Sequence, residues 1–165
     1  MKVVLIGFAT SYKTSAGKQL AEMLKCDFYD TDCEVEKATG QSIAEIFRTR
    51  GEEAFRVAEE STVQSLADKS GVVACGGGTP LCKVFDSLCK NAVVVWLKTS
   101  PQCVFNRLER GTRPLFDNLS LLQLQQKIAD RESVYRHFAN AVVPTDGKTS
   151  RQVAEEIFFC LNNIK

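Results

Sequence analysis

Gly7, Lys13 and Thr14, within "GFATSYKT", keep the spacing of G-x-x-x-x-G-K-[ST], except that Tyr12 stands where the second glycine belongs. The chemistry such a stretch serves is anion binding. Backbone N–H groups and the N-terminus of a following helix converge on a phosphate, a lysine reaches the outer phosphates, and a hydroxyl holds magnesium. In this chain Lys13 is that lysine and Thr14 that hydroxyl, and Ser11, Tyr12 and Ser15 complete the anion-binding stretch. Backbone donors do not require glycine. If position 12 takes a positive φ, however, a bulky residue costs on the order of 1–2 kcal/mol. The plain alternative is a strand-to-helix turn with a surface lysine.

Further candidates follow. Asp30 and Asp32 are two residues apart in "DTD", so on an extended chain both carboxylates share one side. An acidic turn capping a helix that begins near Cys33 would use the same residues. Arg56 offers a planar fork that suits a carboxylate, or equally an exposed pair with Glu53. Gly76, Gly77 and Gly78 follow an apolar run directly, where they would let backbone approach a ligand. The arginines of "NRLERGTRPLF" (Arg107, Arg110 and Arg113) and Arg136 in "VYRHF" are cationic candidates, each of which could equally be a solvated surface charge.

The elements that must position these residues are legible from periodicity. Continuous apolar runs at Val3–Ile6, Val72–Cys75, Val93–Leu97 and Ala141–Val143 suit parallel strands covered on both faces, with "CDFYD" at 26–30 a weaker fifth. Helical spacing appears at 55, 58, 62, 63 and 66. It returns at 153, 157, 160, 161 and 164, where Thr149 and Gln152 offer a capping box. Strand and helix alternate, which predicts an α/β fold with a parallel sheet. The phosphate stretch then falls between the first strand and the first helix.

The 165 residues predict one domain, and a net charge of +1 gives no electrostatic reason to bind nucleic acid or an anionic membrane. No apolar run approaches the roughly 20 residues of a membrane span, and Met1-Lys2 lead into a strand without signal-peptide architecture. The seven cysteines form no C-x-x-C pair, and the lone His137 has no cysteine nearby. Neither zinc nor a disulfide framework is expected; several of the cysteines sit at apolar positions and read as small buried hydrophobes in a reducing cytoplasm.

The segments "DFYDTDCEVEKATGQSIAEIF", "RGEEAFRVAEE", "VVACGGGTPL", "RGTRPLF" and "DRESVYRHFANAVV" resemble, in order and spacing and over nearly the whole chain, the shikimate kinases. These are small P-loop kinases of the nucleoside-monophosphate-kinase type. The resemblance implies a three-layer α/β/α fold with a five-stranded parallel sheet in the order 2-3-1-4-5, a substrate-binding excursion over about 33–61 and a lid over about 111–122. It implies ATP-dependent phosphorylation of the shikimate 3-hydroxyl in aromatic amino-acid biosynthesis, with Mg2+, by a monomeric cytoplasmic enzyme. Asp30 would join Thr14 at the magnesium, and Asp32 would bind the acid's hydroxyls and serve as base. Arg56, Arg136 and the three glycines would hold the acid, Arg113 would cover the transferring phosphoryl group, and Arg107 or Arg110 would stack on the adenine. The family's loop reads G-x-x-G-[SA]-G-K-[ST], so Thr10 and Tyr12 replace both inner glycines here. That departure touches the nucleotide half of the site and leaves the acid-binding half intact. A gluconate kinase would share the loop but not the D-T-D, Arg56 and triple-glycine set. A silent shikimate-binding protein would keep that set and ignore ATP.

Overall fold

A computed structural model describes residues 1–108 and 119–163. In chain order the elements are β1 (Lys2–Ile6), α1 (Lys13–Leu24), β2 (Phe28–Asp30), α2 (Thr31–Thr39), α3 (Ile43–Leu66) and β3 (Gly71–Ala74). A short 3-10 turn at Thr79–Leu81 leads to α4 (Phe85–Cys89), β4 (Ala92–Lys98), α5 (Pro101–Arg107), α6 (Leu121–Phe138), β5 (Ala141–Pro144) and α7 (Ser150–Asn163). The five strands form one parallel sheet ordered β2-β3-β1-β4-β5, the expected order.

Both faces of the central strands are covered, which is why their sequences are apolar without alternation. Side chains alternate along a strand. Val3 and Leu5 therefore join Leu20, Ala21, Val153 and Ile157 under α1 and α7. Val4 and Ile6 join Val63, Leu66, Phe85, Leu124 and Tyr135 under α3, α4 and α6. The capping box at Thr149 and Gln152 forms as read, with each backbone N–H donating to the other's side chain. The edge strand β2 has three residues, all half-buried, and this explains its weaker signal.

One element departs from the reading. The helix inferred from Phe55 onward begins at Ile43, behind a Ser42–Glu45 capping box, and breaks at Gly51, whose φ of 81° and ψ of 175° are not helical. A left-handed φ of this kind favours glycine. The two halves of α3, with α2, enclose a small separate cluster of Val35, Ile46 and Phe55. Among the described residues no helix is long and apolar enough to cross a membrane.

Candidate active site

At the carboxyl end of β1 the chain turns into α1 through the phosphate-like stretch. Tyr12 is the N-cap of α1, with φ 66° and ψ 14°, and Thr10 has φ 60°. Both left-handed positions thus carry side chains that disfavour them, at a cost of about 1–2 kcal/mol each. No side chain caps α1, and its first turn holds no acidic residue. The N–H groups that a helix start leaves unpaired therefore remain for an anion. Lys13 Nζ donates to the Phe8 carbonyl at 2.6 Å and to Ser11 Oγ at 3.2 Å. The loop from Thr10 to Ser15 lines an open cavity of about 700 Å³, with Asp30, Asp32, Gly76, Gly77 and Arg107 on its other walls.

The D-T-D segment is not extended as expected, because the strand ends at Asp30 and α2 begins at Thr31. Asp30 Oδ1 caps that helix, accepting from the N–H groups of Asp32 at 3.0 Å and Cys33 at 3.3 Å. Its other oxygen accepts from the Thr14 hydroxyl at 2.6 Å. Capping and site-building are therefore the work of one carboxylate. Thr31 turns inward, fully buried, and accepts from the Gly76 N–H at 2.8 Å. That anchor ties the β2–α2 junction to the glycine loop, and both aspartates reach the cavity from the helix start.

A second cavity of about 190 Å³ opens beside the first and shares Asp32, Gly76 and Gly77 with it. Arg56, Gly78, Glu59 and Arg131 also line it. Added side chains at the glycines would strike its walls. A Cβ at Gly76 would lie 2.6 Å from Asp32 Oδ1, and one at Gly78 would lie 3.0 Å from Arg56 Nη1. Arg56 donates to Glu59 at 2.7 Å and to Glu52 at 3.2 Å, not to Glu53. Burial works against its charge, but the hydrogen bonds and charges of Glu59 and Glu52 outweigh burial and raise its pKa above the ordinary arginine value.

Glu59 is the residue that sequence reasoning missed on this side. Its side chain is 2% exposed, and it accepts from Arg56, from Thr79 Oγ1 at 2.7 Å and from Cys82 Sγ at 3.4 Å. Burial, then the Glu59 charge, pushes the Cys82 thiol up to about 12, so it stays a donor. The signal available was a carboxylate three residues after an arginine on a buried helix face. Replacing Glu59 with Gln puts an amide N–H₂ against at least one of these donors. The expected cost is about 2 kcal/mol, a fall in Tm of about 4–8 °C, read by thermal unfolding. An unchanged Tm would mean that an amide satisfies the same partners, with the Thr79 hydroxyl turned to accept, and that the carboxylate charge is not needed for stability.

Arg136 requires correction. It lies on the outer side of α6, its side chain 67% exposed, paired with Glu132 at 2.8 Å and resting over Trp96. It does not line the second cavity; Arg131 does. The buried stripe of α6 runs through Leu124, Ile128, Tyr135 and Phe138, and Arg131 falls on it at helical spacing. Arg131 sits over the Phe8 ring at 5.2 Å, and Tyr135 donates to the Gly77 carbonyl at 2.7 Å, fixing the glycine loop.

Arg107, at the end of α5, reaches the first cavity beside Tyr12. Arg110, Arg113 and most of the expected lid lie outside the described residues. Among the described residues no group of three or more His, Cys, Asp or Glu could enclose a metal. The Thr14 hydroxyl and the Asp30 carboxylate, 2.6 Å apart at the cavity wall, are the hard oxygen donors that a magnesium would take.

The sequence model for shikimate kinase matches residues 10–162. The chain is 37% identical to a shikimate kinase of Alteromonas mediterranea, over 94% of this chain and 93% of that one. It is 39% identical to one of Moorella thermoacetica, over 94% and 91%. The structure is similar to that of the shikimate kinase from Acinetobacter baumannii in complex with shikimate, with a TM-score of 0.87, 31% identity and coverage of 99% and 95%.

Proposed function

Because the chain belongs to the shikimate kinase family, we propose that it transfers the γ-phosphoryl group of ATP to the 3-hydroxyl of shikimate. The observation that carries this reading is the pair of cavities meeting at Asp32, Gly76 and Gly77. A nucleotide in the larger one, its phosphates on the loop, would present its γ-phosphorus to an acceptor in the smaller. At about 190 Å³ the smaller cavity is below the ~300–1,000 Å³ of drug-sized sites and suits a compact acid. Arg56 and Arg131 flank it, the pairing that a carboxylate needs.

In the proposed reaction the acceptor oxygen attacks the γ-phosphorus in line, and the bond from that phosphorus to the β–γ bridging oxygen breaks. Asp32 takes the hydroxyl proton. Lys13 and Arg113 would balance the charge on the transferring group, and Arg110 or Arg107 would border the base. Thr14 and Asp30 would hold a Mg2+, which when bound would supply positive charge to neutralise the phosphates.

The left-handed Thr10 and Tyr12 favour one second reading, a shikimate binder whose loop has lost its nucleotide. Coupled measurement of ADP formation separates the two. Shikimate-dependent ADP release at or above about 1 s⁻¹ is expected, the ordinary range for kinases. Calorimetric binding of shikimate without ADP formation would overturn the kinase reading.

A further inference from the structure

The loop's two left-handed residues share a partner. Arg107 Nη1 donates to the Thr10 carbonyl at 3.2 Å and to Thr145 Oγ1 at 3.0 Å, and Nη2 donates to the Thr145 carbonyl at 2.9 Å. Cζ of the same guanidinium lies over the Tyr12 ring, 4.1 Å from its centroid. Thr145 is fully buried just past β5, and its hydroxyl pairs with that of buried Thr99 at 2.6 Å. Its N–H donates to the Lys98 carbonyl at 2.9 Å, so the arginine bears on the rigid carboxyl end of the sheet. Thr10 adds a further burden: its Oγ1 is buried with no partner among the described residues.

We propose that Arg107 is a positioning residue for the phosphate loop, holding Thr10 and Tyr12 in the cradle conformation before nucleotide arrives. The fork fixes the carbonyl of one strained residue, and the cation over the ring holds the other. Both contacts need the geometry of guanidinium and not simply a positive charge. Here a tyrosine contributes a stacking partner where glycine would contribute conformational freedom, so strain and restraint are coupled. Arg107 thereby gains a role besides bordering the base. The inference rests on the loop being a nucleotide phosphate site, though not on shikimate being the acceptor.

The test compares full-length wild type, Arg107→Ala, Arg107→Lys, Thr10→Gly/Tyr12→Gly, and that double variant with Arg107→Ala. Calorimetry measures ADP and inorganic tripolyphosphate, which has no base. In the native loop Arg107→Ala should weaken both ligands about 20-fold, and Arg107→Lys should recover less than half of that loss on a logarithmic scale. In the glycine loop the same removal should cost less than about threefold. An equal loss of both ligands in both loops makes Arg107 a direct phosphate contact, and a loss for ADP that spares tripolyphosphate makes it a base contact; either overturns the proposal. In steady-state assays the KM for ATP should rise while that for shikimate holds; the reverse split also overturns it. Without ligand, the NMR chemical shifts of the Thr10 carbonyl carbon and the Tyr12 ring, the two groups that Arg107 touches, should move toward random-coil values in Arg107→Ala. Unchanged shifts sink the idea whatever the activity assay gives, and failure to phosphorylate shikimate leaves these ligand and shift measurements standing. If Arg107→Ala does not fold, the Lys variant and the glycine background carry the same comparison.

Discussion

Arg131→Ala is expected to raise the KM for shikimate about 100-fold, while Arg136→Ala moves it less than about twofold. The two residues lie five apart on α6 and were not separable by type. Arg131 faces inward: it lines the second cavity opposite Arg56 and would meet a Cβ at Gly77 within 3.3 Å. A guanidinium there gives a carboxylate charge-assisted hydrogen bonds in a partly enclosed site, worth about 1.5–3 kcal/mol. The upper part of that range is roughly 100-fold. Arg136 gives its hydrogen bond to Glu132 on an open helix surface, where such pairs are worth about 0–1 kcal/mol. Neither change should shift the KM for ATP more than about threefold, since neither arginine touches the loop cavity. Initial rates against shikimate concentration decide the matter. A large effect at Arg136 with none at Arg131 would return the acid-binding role to Arg136.

The same pair shows what the sequence could and could not say. An arginine on the apolar stripe of a helix is conspicuous only once the stripe is drawn, and in α6 it is thin, because Gln, Lys and Asp interrupt it. The central strands were legible because helices cover both faces and leave unbroken apolar runs at Val3–Ile6 and Val93–Leu97. The D-T-D segment was legible as chemistry but not as geometry. Asp is favoured both at a strand's end and at an N-cap, and only the structure shows Asp30 serving as cap while holding the Thr14 hydroxyl. Glu59 escaped notice because a buried acid has no sequence signature of its own; Thr79 and Cys82, which satisfy it, come 20 and 23 residues later. At Tyr12 the sequence posed the question of a positive φ. The answer of 66° needed coordinates, as did the arginine 95 positions on that stacks against it.

Asp32→Asn should lower kcat about 10³-fold while leaving the KM for ATP within about threefold. Asp32 borders both cavities and stands at their junction with Gly76 and Gly77, where in the proposed reaction an acceptor hydroxyl would meet a γ-phosphate. The glycine at 76 gives its carboxylate room, since a Cβ there would lie 2.6 Å from Oδ1. Asparagine keeps the size and the helix-start geometry but cannot take a proton, so it removes what the transition state uses. General-base removal typically costs 10²–10⁴-fold. Such an interaction is made chiefly in the transition state, so the loss falls on kcat and not on nucleotide binding. Asp32→Glu keeps the base but pushes it about one methylene further, toward the Gly76 backbone, and should also lose activity. Pre-steady-state phosphoryl transfer at saturating ATP and shikimate gives the chemical step directly. If Asp32→Asn keeps that rate within tenfold of wild type, the carboxylate only positions the hydroxyl. The proton must then leave by another route, and Asp32 loses its place as base.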